Sequence, residues 1–486
     1  MRPPPAPRRW CRGPALLACC YHVGAALGLA GDGVVLLQTG LGATASVAQS
    51  RQAFEASRSP RGPGPFQQLM QNFGDAQYVS YMTLGRQVIT GVLDTGSYDL
   101  VVFGADCDTC SVAAHYNPRL SRTYSSGNVV AQQSYGSGMT ASVSAKDQVA
   151  IGPFKVSNQS FWNVQQAQMA ILGNAAFEAI IGLGPPNTPA LNAWDTAMST
   201  VKKLSSYLED SRAAPPELIE QARTGILIAS EMSSHPTLLH TINCRVFSVC
   251  LGAAPDSDGI FVWNDDKASN EPSLFTKVPV VGTQTWSANL TNAGLSYDAV
   301  NFTYIGCSGG CSAMLDSGTS LLAVPPAVLD SVNEAMKDLR DDCSNLQVLP
   351  SLAFELGGAR FSLPPEAYVA EIVGDVPTYL HLPARRARRE QQCQVMLMKT
   401  QSSSSAGPMW ILGAPFFRKY YTTFDLGEKQ EDRAFYIAPH ASDDCVPVTA
   451  AAASSARSRE IRRVSGERIV LSLTAQRASS KMFMHL

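Results

Sequence analysis

The chain has little charge for its length and almost no bias in the sign of that charge. Of its 486 residues, 16% are Asp, Glu, Lys or Arg, and the formal net charge is -2. Such a composition gives no reason to expect nucleic acid as a partner. The hydrophobic fraction of 45% indicates a globular rather than a disordered chain. The chain is also long enough for two globular lobes.

The sequence also lacks a complete set of metal ligands. Cys107 and Cys110 have the C-x-x-C spacing of a zinc or redox site. No second C-x-x-C and no paired histidines complete such a set. We therefore expect no metal and no cofactor, with a zinc or redox role of the Cys107/Cys110 pair kept as the alternative.

The N-terminus has the pattern of a targeting segment. Basic residues between Arg2 and Arg12 precede an apolar stretch over about 14–30. We interpret residues 1–48 as a secretory signal peptide, with an uncleaved membrane anchor as the alternative. The other cysteines fit this route, because disulfides persist in oxidising compartments. Membrane association is expected only if the segment is retained.

Composition divides the remainder of the chain. Residues 49–74 are rich in Arg, Ser, Pro and Gly, which predicts a linker or propeptide. From Gln77 onwards, short apolar runs alternate with turn residues, which favours an all-β fold with minor helices. Helical spacing predicts an insertion over about 190–225 and a shorter helix over 326–339. Residues 441–486 are rich in Ala, Ser and Arg and predict a flexible basic tail.

A short motif occurs twice, and its repetition points to chemistry. Each copy is an Asp followed by Thr or Ser and then Gly, after a pair of apolar residues, and each is followed further on by an apolar-apolar-Gly segment. The copies are Asp94-Thr95-Gly96-Ser97 and Asp316-Ser317-Gly318-Thr319, with the later segments at 180–182 and 411–413. Two related halves, each supplying one carboxylate, are implied.

The physical interpretation is that each apolar pair ends a buried strand and that the glycine lets the chain turn tightly. The hydroxyls beside the two aspartates can then donate hydrogen bonds to them. Two carboxyls that share a site retain one proton between them, which suits general acid/base hydrolysis. The alternative is an ordinary Asx turn at each site. Duplication and apolar flanks argue against it, because burying a carboxylate costs free energy that a mere turn avoids.

With these motifs in place, the sequence resembles the pepsin and cathepsin D family of aspartic peptidases from about Gln77 to Pro439. Supporting segments occur in the family's order at 116–118, 134–138, 247–249, 307–311 and 410–418. The resemblance implies a bilobal β fold with the active-site cleft between an N-terminal lobe, residues 75–245, and a C-terminal lobe, residues 246–440.

The resemblance also implies roles for individual residues. Asp94 and Asp316 would be the catalytic pair. Tyr135, Gly136 and Ser137 would form the tip of a mobile flap over the substrate. The residues expected to support the active site are Thr95, Gly96, Ser97, Ser317, Gly318 and Thr319.

Disulfides are implied in the same way. The expected pairs are Cys107–Cys110, Cys307–Cys311 and Cys343–Cys393. We propose Cys244–Cys445 as an extra pair, which would leave Cys250 as a buried free thiol.

Three features depart from the family pattern or add to it. Val101 replaces the tryptophan that usually binds the flap tyrosine, so the Tyr135 hydroxyl is expected to lose that partner. The basic run over 385–389 is either a solvated loop or a processing site. Three N-x-S/T sequons are possible glycosylation sites: Asn158, Asn289 and Asn301.

The expected function is that of a monomeric aspartic endopeptidase acting on extended polypeptides. A half-protonated carboxyl pair implies an acidic pH optimum and sensitivity to pepstatin-type inhibitors. We expect it to be secreted or delivered to an acidic compartment such as a lysosome or vacuole. The alternative is a catalytically silent binding or inhibitor protein on the same fold. Both aspartates, their hydroxyl neighbours and the flap tyrosine are present, which favours the enzyme.

Overall fold

The computed structural model describes residues 63–186, 188–210, 213–298, 301–375, 391–455, 461–471 and 482–484. These residues all belong to one compact unit, residues 57–486. The expectations for the segment 1–48 and for the basic run 385–389 lie outside the described residues. No helix in the described ranges is both long enough and apolar enough to span a membrane.

The N-terminal half is built mainly from antiparallel strands. Burial along them alternates with the period of two that a half-buried sheet requires. The strands are β1 (Phe66–Phe73), β2 (Gln77–Leu84), β3 (Gln87–Asp94), β4 (Leu100–Phe103), β5 (Ser125–Tyr135), β6 (Gly138–Ile151), β7 (Phe154–Met169) and β8 (Ala179–Gly182). Strands β5 and β6 form a hairpin in which Tyr135 pairs with Gly138.

A helical insertion follows β8. Helices α1 (Thr188–Glu209) and α2 (Pro216–Ser233) pack on each other, and the short helix α3 (Leu238–Ile242) follows. The Trp194 indole, buried on α1, donates a hydrogen bond to Ser233 Oγ at 2.8 Å. The insertion predicted from helical spacing is therefore present, and it extends past the predicted end near residue 225.

The C-terminal half repeats the strand-rich pattern. Its strands are β9 (Val246–Leu251), β10 (Gly259–Trp263), β11 (Thr276–Pro279), β12 (Ser287–Ser296), β13 (Phe302–Gly306), β14 (Cys311–Leu315), β15 (Leu322–Val324), β16 (Ser351–Leu356), β17 (Ala359–Leu363), β18 (Val369–Val373), β19 (Gln391–Val395), β20 (Leu397–Lys399), β21 (Ser403–Ser404), β22 (Gly407–Leu412), β23 (Tyr420–Asp425) and β24 (Ala434–Pro439). Its helices are α4 (Lys267–Asn270), α5 (Pro326–Ala335), α6 (Pro365–Tyr368) and α7 (Ala414–Phe417). Helix α5 ends earlier than the predicted helix over 326–339.

Both halves contain the same three-strand unit. Strand β3 runs parallel to β8, and β8 pairs antiparallel with β4. In the second half β14 runs parallel to β22, and β22 pairs antiparallel with β15. This correspondence confirms the mostly β, two-lobed fold expected from the repeated motif.

The two halves are joined by strands of mixed origin. The strand order β11-β24-β23-β9-β10-β1 places β1 from the start of the chain beside β10 and continues through β2 into the N-terminal lobe. Stacked aromatic rings stabilise this region, with the Phe247 and Phe424 centroids 4.9 Å apart. The joining sheet therefore fixes how the two repeated units face each other.

Strand β1 corrects the expectation that residues 49–74 form only a linker. Phe66–Phe73 pairs with β10 and β2, yet only Met70 in it is fully buried. Because its other side chains remain at least partly exposed, the strand has no clear apolar alternation to reveal it. Its stability comes from backbone pairing with strands of both lobes.

The C-terminal region corrects the expectation of a wholly flexible tail. It contains α8 (Ala450–Ser455), β25 (Arg463–Ser465) and β26 (Met482–Met484). Strand β25 pairs parallel with β18, and Val464 and Ile469 are fully buried. The basic composition misled the prediction, because Arg462 is buried in an ion pair with Asp75.

The structure also corrects one disulfide. Cys107–Cys110, Cys307–Cys311 and Cys343–Cys393 are bonded as expected. The predicted pair Cys244–Cys445 is wrong: Cys445 bonds to Cys250, and Cys244 is the buried free thiol. Cys445 bonds to Cys250 because these two cysteines share a separate small cluster, whereas Cys244 packs in the main core.

Candidate active site

The two motif aspartates lie at equivalent positions of the repeated unit. Asp94 is the last residue of β3 and pairs in register with Gly182 of β8. Asp316 directly follows β14, and its backbone N–H donates to Leu412 O at 3.0 Å. Both side chains are buried. Each half therefore delivers one carboxyl group at the end of a buried parallel strand pair.

Matching donors hold the two carboxylates. Asp94 accepts hydrogen bonds from the Gly96 N–H at 2.9 Å and the Ser97 hydroxyl at 2.5 Å. Asp316 accepts from the Gly318 N–H at 2.9 Å and the Thr319 hydroxyl at 2.7 Å. Because each loop fixes its own aspartate in the same way, the two carboxyls are oriented before any substrate arrives.

Thr95 and Ser317 brace the two loops against each other. The Thr95 hydroxyl donates to Leu315 O at 2.8 Å and accepts from the Ser317 N–H at 3.0 Å. The Ser317 hydroxyl donates to Leu93 O at 2.5 Å and accepts from the Thr95 N–H at 3.1 Å. These reciprocal bonds connect the two aspartate loops across the lobes.

Gly96 and Gly318 make room for the opposite aspartate. A Cβ on Gly96 would lie 2.6 Å from the Asp316 carboxyl, and a Cβ on Gly318 would overlap Asp94. Any side chain at either glycine would push the carboxyls apart. The glycines are thus required by the close approach of the two halves.

The two carboxyls share a hydrogen bond, and this determines their titration. Burial raises the pKa of Asp316 well above its usual range, and the neighbouring Asp94 raises it further. The Thr319 hydroxyl and the Gly318 N–H oppose part of this rise. Two carboxyls in contact retain one proton between them, and this proton belongs to the pair.

The hairpin of β5 and β6 places its tip beside the pair. Tyr135 is buried, and burial raises the pKa of its phenol well above the ordinary value, with Asp99 and Asp94 adding to the shift. Gly136 and Ser137 form the two-residue turn between the strands. Tyr135, at the end of this hairpin, is therefore close enough to Asp99 and Asp94 for their charges to act on it.

Val101, which stands where a tryptophan was expected, lies beside a tryptophan of the neighbouring strand. Val101 on β4 pairs in register with Trp162 on β7, and both are buried. Trp162 donates a side-chain hydrogen bond to Asp99. Burial raises the pKa of Asp99 to about 6. The Trp162 indole therefore binds Asp99 next to the strand pair that contains Val101.

Comparison with known proteins agrees with this arrangement. Residues 77–210 and 229–434 match the profile of the family described as eukaryotic aspartyl protease. The chain belongs to the eukaryotic aspartyl protease family. As a member of this family it is an aspartic endopeptidase, a hydrolase whose substrates are polypeptides.

Individual aspartyl proteases are similar over most of the chain. Pepsin A of Bos taurus is 25% identical over 382 residues, which cover 75% of this chain and 85% of pepsin A. Cathepsin E-A of Xenopus laevis is 27% identical over 372 residues, 74% of this chain and 79% of its own. Gastricsin of Homo sapiens is 26% identical over 373 residues, 73% of this chain and 80% of gastricsin.

The structure adds residues to this protease site that the sequence did not reveal. Ser320 follows the second motif and makes two hydrogen bonds with the backbone of Val470 in the C-terminal region. Asp99 and Trp162 meet only because β4 and β7 are neighbours, so no sequence pattern could have paired them. For Val470 a signal did exist: the apolar run Ile469-Val470-Leu471 is out of place in a flexible basic tail.

Proposed function

We propose that this aspartyl protease cleaves extended polypeptides with a water molecule activated between Asp94 and Asp316. The observation that carries the proposal is the shared hydrogen bond of two buried carboxyls, each held by a backbone N–H and a hydroxyl. That geometry suits two groups that exchange roles as acid and base.

The reaction then needs no covalent intermediate. The ionised member of the pair takes a proton from water while the water oxygen attacks the peptide carbonyl carbon. The protonated member gives its proton to the carbonyl oxygen, so a tetrahedral diol forms. The diol then collapses: the protonated carboxyl gives its proton to the nitrogen as the C–N bond breaks, and the other carboxylate takes a proton from a diol hydroxyl, which leaves a free carboxyl group and a free amine. The pair ends with one proton, as it began.

An acidic optimum follows from this mechanism. The active pair carries one proton, and the raised pKa of Asp316 keeps that proton in place at mildly acidic pH. Activity is expected to fall as rising pH removes it. Inhibition by pepstatin-type compounds is part of the same proposal.

We also propose entry into the secretory pathway and function as a monomer. Four disulfides among the described residues support an oxidising compartment. The sequons at Asn158, Asn289 and Asn301 lie at exposed positions, consistent with their use as glycosylation sites. One chain supplies both aspartates, so the site needs no second copy.

The test compares wild type with Asp94→Asn and Asp316→Asn on an unstructured protein substrate at mildly acidic pH. We expect each variant to lose about 10²–10⁴-fold in kcat/KM, the range that general acid/base groups contribute. Asp195→Asn, at an exposed position of α1, is the matched control and should retain wild-type activity. If none of the four proteins cleaves the substrate faster than it degrades alone, with or without a pepstatin-type inhibitor, the proposal is contradicted and a silent binding protein is favoured.

A further inference from the structure

The C-terminal segment Arg468–Leu471 enters the cleft between the flap and the second catalytic loop. Ser137 at the flap tip bonds to Leu471 twice: its hydroxyl donates to Leu471 O at 2.9 Å, and the Leu471 N–H donates to Ser137 Oγ at 2.8 Å. The Ser137 N–H also approaches Leu471 O, at 3.3 Å. The segment is thus attached to the element that is expected to cover substrate.

The opposite wall of the cleft binds the preceding residue in the same manner. The Ser320 N–H donates to Val470 O at 2.9 Å, and the Val470 N–H donates to Ser320 Oγ at 2.8 Å. Ser320 directly follows Thr319, which holds Asp316. Backbone bonds from consecutive residues to both walls are how an extended peptide binds beside a strand or hairpin.

Side chains of the segment fill apolar positions on alternate sides. Val470 belongs to the cluster that contains Tyr135 and Met169 of the flap side. Ile469 and Leu471 belong to a different cluster, together with Leu321 of the C-terminal lobe. All three aliphatic side chains are buried, at 0%, 7% and 4% exposure for residues 469, 470 and 471. This alternation is that of an extended chain inserted between two surfaces.

The residues before the cleft anchor the segment. Arg462 is buried, forms an ion pair with Asp75 and donates to the backbone oxygens of Ala253 at 2.8 Å and Ala254 at 2.9 Å. The Ser465 N–H donates to Gly74 O at 2.8 Å. These contacts fix the chain just before Arg468. The segment that enters the cleft is therefore a peptide that is both covalently linked to the protein and anchored at its N-terminal side.

We propose that Arg468–Leu471 is an internal competitive ligand of the peptide cleft, which must leave before a polypeptide substrate binds. The same contacts assign a substrate class, namely extended peptides with consecutive aliphatic side chains at the positions occupied by Ile469, Val470 and Leu471. The proposal rests on the proposed function in treating this cleft as the substrate site. The internal-ligand proposal goes further, because it concerns what occupies the cleft and not how the peptide bond is cleaved.

A binding measurement separates occupancy from catalysis. The protein carries Asp94→Asn so that no substrate is consumed, and the probe is a fluorescently labelled synthetic peptide with the sequence of residues 465–471. Val470→Asp in this background places a charge in the apolar cluster and should displace the internal segment. The matched control is Val348→Asp, because Val348 is exposed.

We expect Val470→Asp to bind the probe about tenfold more tightly than its parent, the gain for a cleft that is free in about one parent molecule in ten. Val348→Asp should bind like the parent. Equal affinity in all three proteins, with folding verified by circular dichroism, would overturn the proposal. If Val470→Asp does not fold, a chain that ends at Ser465 replaces it, since that chain keeps Arg462 and β25.

Hydrolysis assays with both aspartates intact then distinguish the two proposals. If the internal segment competes with substrate, Val470→Asp lowers KM for an unstructured protein by about the same tenfold while kcat changes little. Tight probe binding without any hydrolysis would contradict the proposed chemistry and leave the competing segment supported. Hydrolysis with an unchanged KM would support the chemistry and reject the competing segment.

Discussion

At the scale of single residues, the active site depends on groups whose charge state is set by burial. Asp316 and Asp99 are both examples, and in both burial is the main cause of the raised pKa. Asp316 shares its site with Asp94, so its proton serves the pair. Burial alone raises the pKa of Asp99, and the hydrogen bond from the Trp162 indole opposes part of that rise. Its titration can therefore be examined separately.

Asp99 should make folding stability depend on pH. Its pKa rises from 3.8 to about 6 on folding. The folded state therefore binds more protons than the unfolded state between about pH 4 and 6, and stability is lost as pH rises through that window. In Asp99→Asn the free energy of unfolding should no longer fall with rising pH for this reason; the fall in wild type amounts to as much as about 3 kcal/mol. Urea unfolding at pH 4 and pH 7 measures it.

The control for this measurement is Asp195→Asn, an exposed aspartate on α1. Asn at 99 still accepts a hydrogen bond from Trp162, so packing is largely preserved. The same change in unfolding free energy between the two pH values in wild type and Asp99→Asn would show that Asp99 does not titrate in this range.

At the scale of elements, the sequence predicted what local patterns encode and missed what distant strands bring together. The repeated Asp-Thr/Ser-Gly motif was sufficient to place Asp94 and Asp316 at equivalent strand ends, because a motif, its apolar flank and its hydroxyl neighbour are contiguous. The Trp162–Asp99 contact was not predictable, since it depends on the parallel pairing of β4 with β7.

The same limit explains the errors at the ends of the chain. Strand β1 is held by β10, which lies far away in the sequence, and buries little of its own surface. The disulfide partner of Cys445 depended on which cysteine faces its cluster. Spacing alone could not separate Cys244 from Cys250.

The corrected disulfide makes a testable prediction about strand β9. Cys250→Ser should lower the free energy of unfolding by about 2–4 kcal/mol, because the bond to Cys445 closes a long loop. Urea unfolding with and without reductant measures it, and the variant should lose less stability on reduction than wild type.

Cys244→Ser is the matched control, since that cysteine is buried but unbonded. It should keep the full wild-type response to reductant. Mass spectrometry after alkylation in urea without reductant gives an independent readout: label on Cys244 and none on Cys250 is expected. Label on Cys250 instead would restore the pairing first predicted from the sequence.

At the scale of the whole molecule, one buried charge cluster connects three distant parts of the chain. Asp75 pairs with Arg462 of the C-terminal region, while Arg418, which follows α7, binds the Asp75 carbonyl and the Tyr78 hydroxyl. Burial pushes the pKa of Asp75 upward, but the two guanidinium groups, together with hydrogen bonds from Asn72 and the Asp256 N–H, hold the pKa below its ordinary value. The cluster thus joins the first lobe, the second lobe and the C-terminal region that precedes the internal ligand.

Asp75→Asn should therefore destabilise the molecule most at neutral pH. A carboxylate with a lowered pKa contributes stability above about pH 4 that is lost as pH falls. Removing one partner of a buried ion pair costs about 3–5 kcal/mol. We expect a loss of that size at pH 7 and a smaller one at pH 3, measured by urea unfolding.

Glu334→Gln serves as the control, because it breaks the exposed pair between Glu334 and Lys337. An exposed pair contributes only about 0–1 kcal/mol, so this variant should behave as wild type. An equal effect of Asp75→Asn at both pH values would show that the Asp75 charge does not stabilise the cluster.

The attachment of Arg468–Leu471 to its own chain has a kinetic consequence. A separate inhibitor dissociates when the solution is diluted, whereas a tethered one stays at the same effective concentration around its cleft. The fraction of free clefts is then the same at any enzyme concentration. Each molecule opens independently, and the appearance of activity after a trigger follows first-order kinetics. Only a change within the chain, or a sufficiently concentrated competing peptide, alters that fraction.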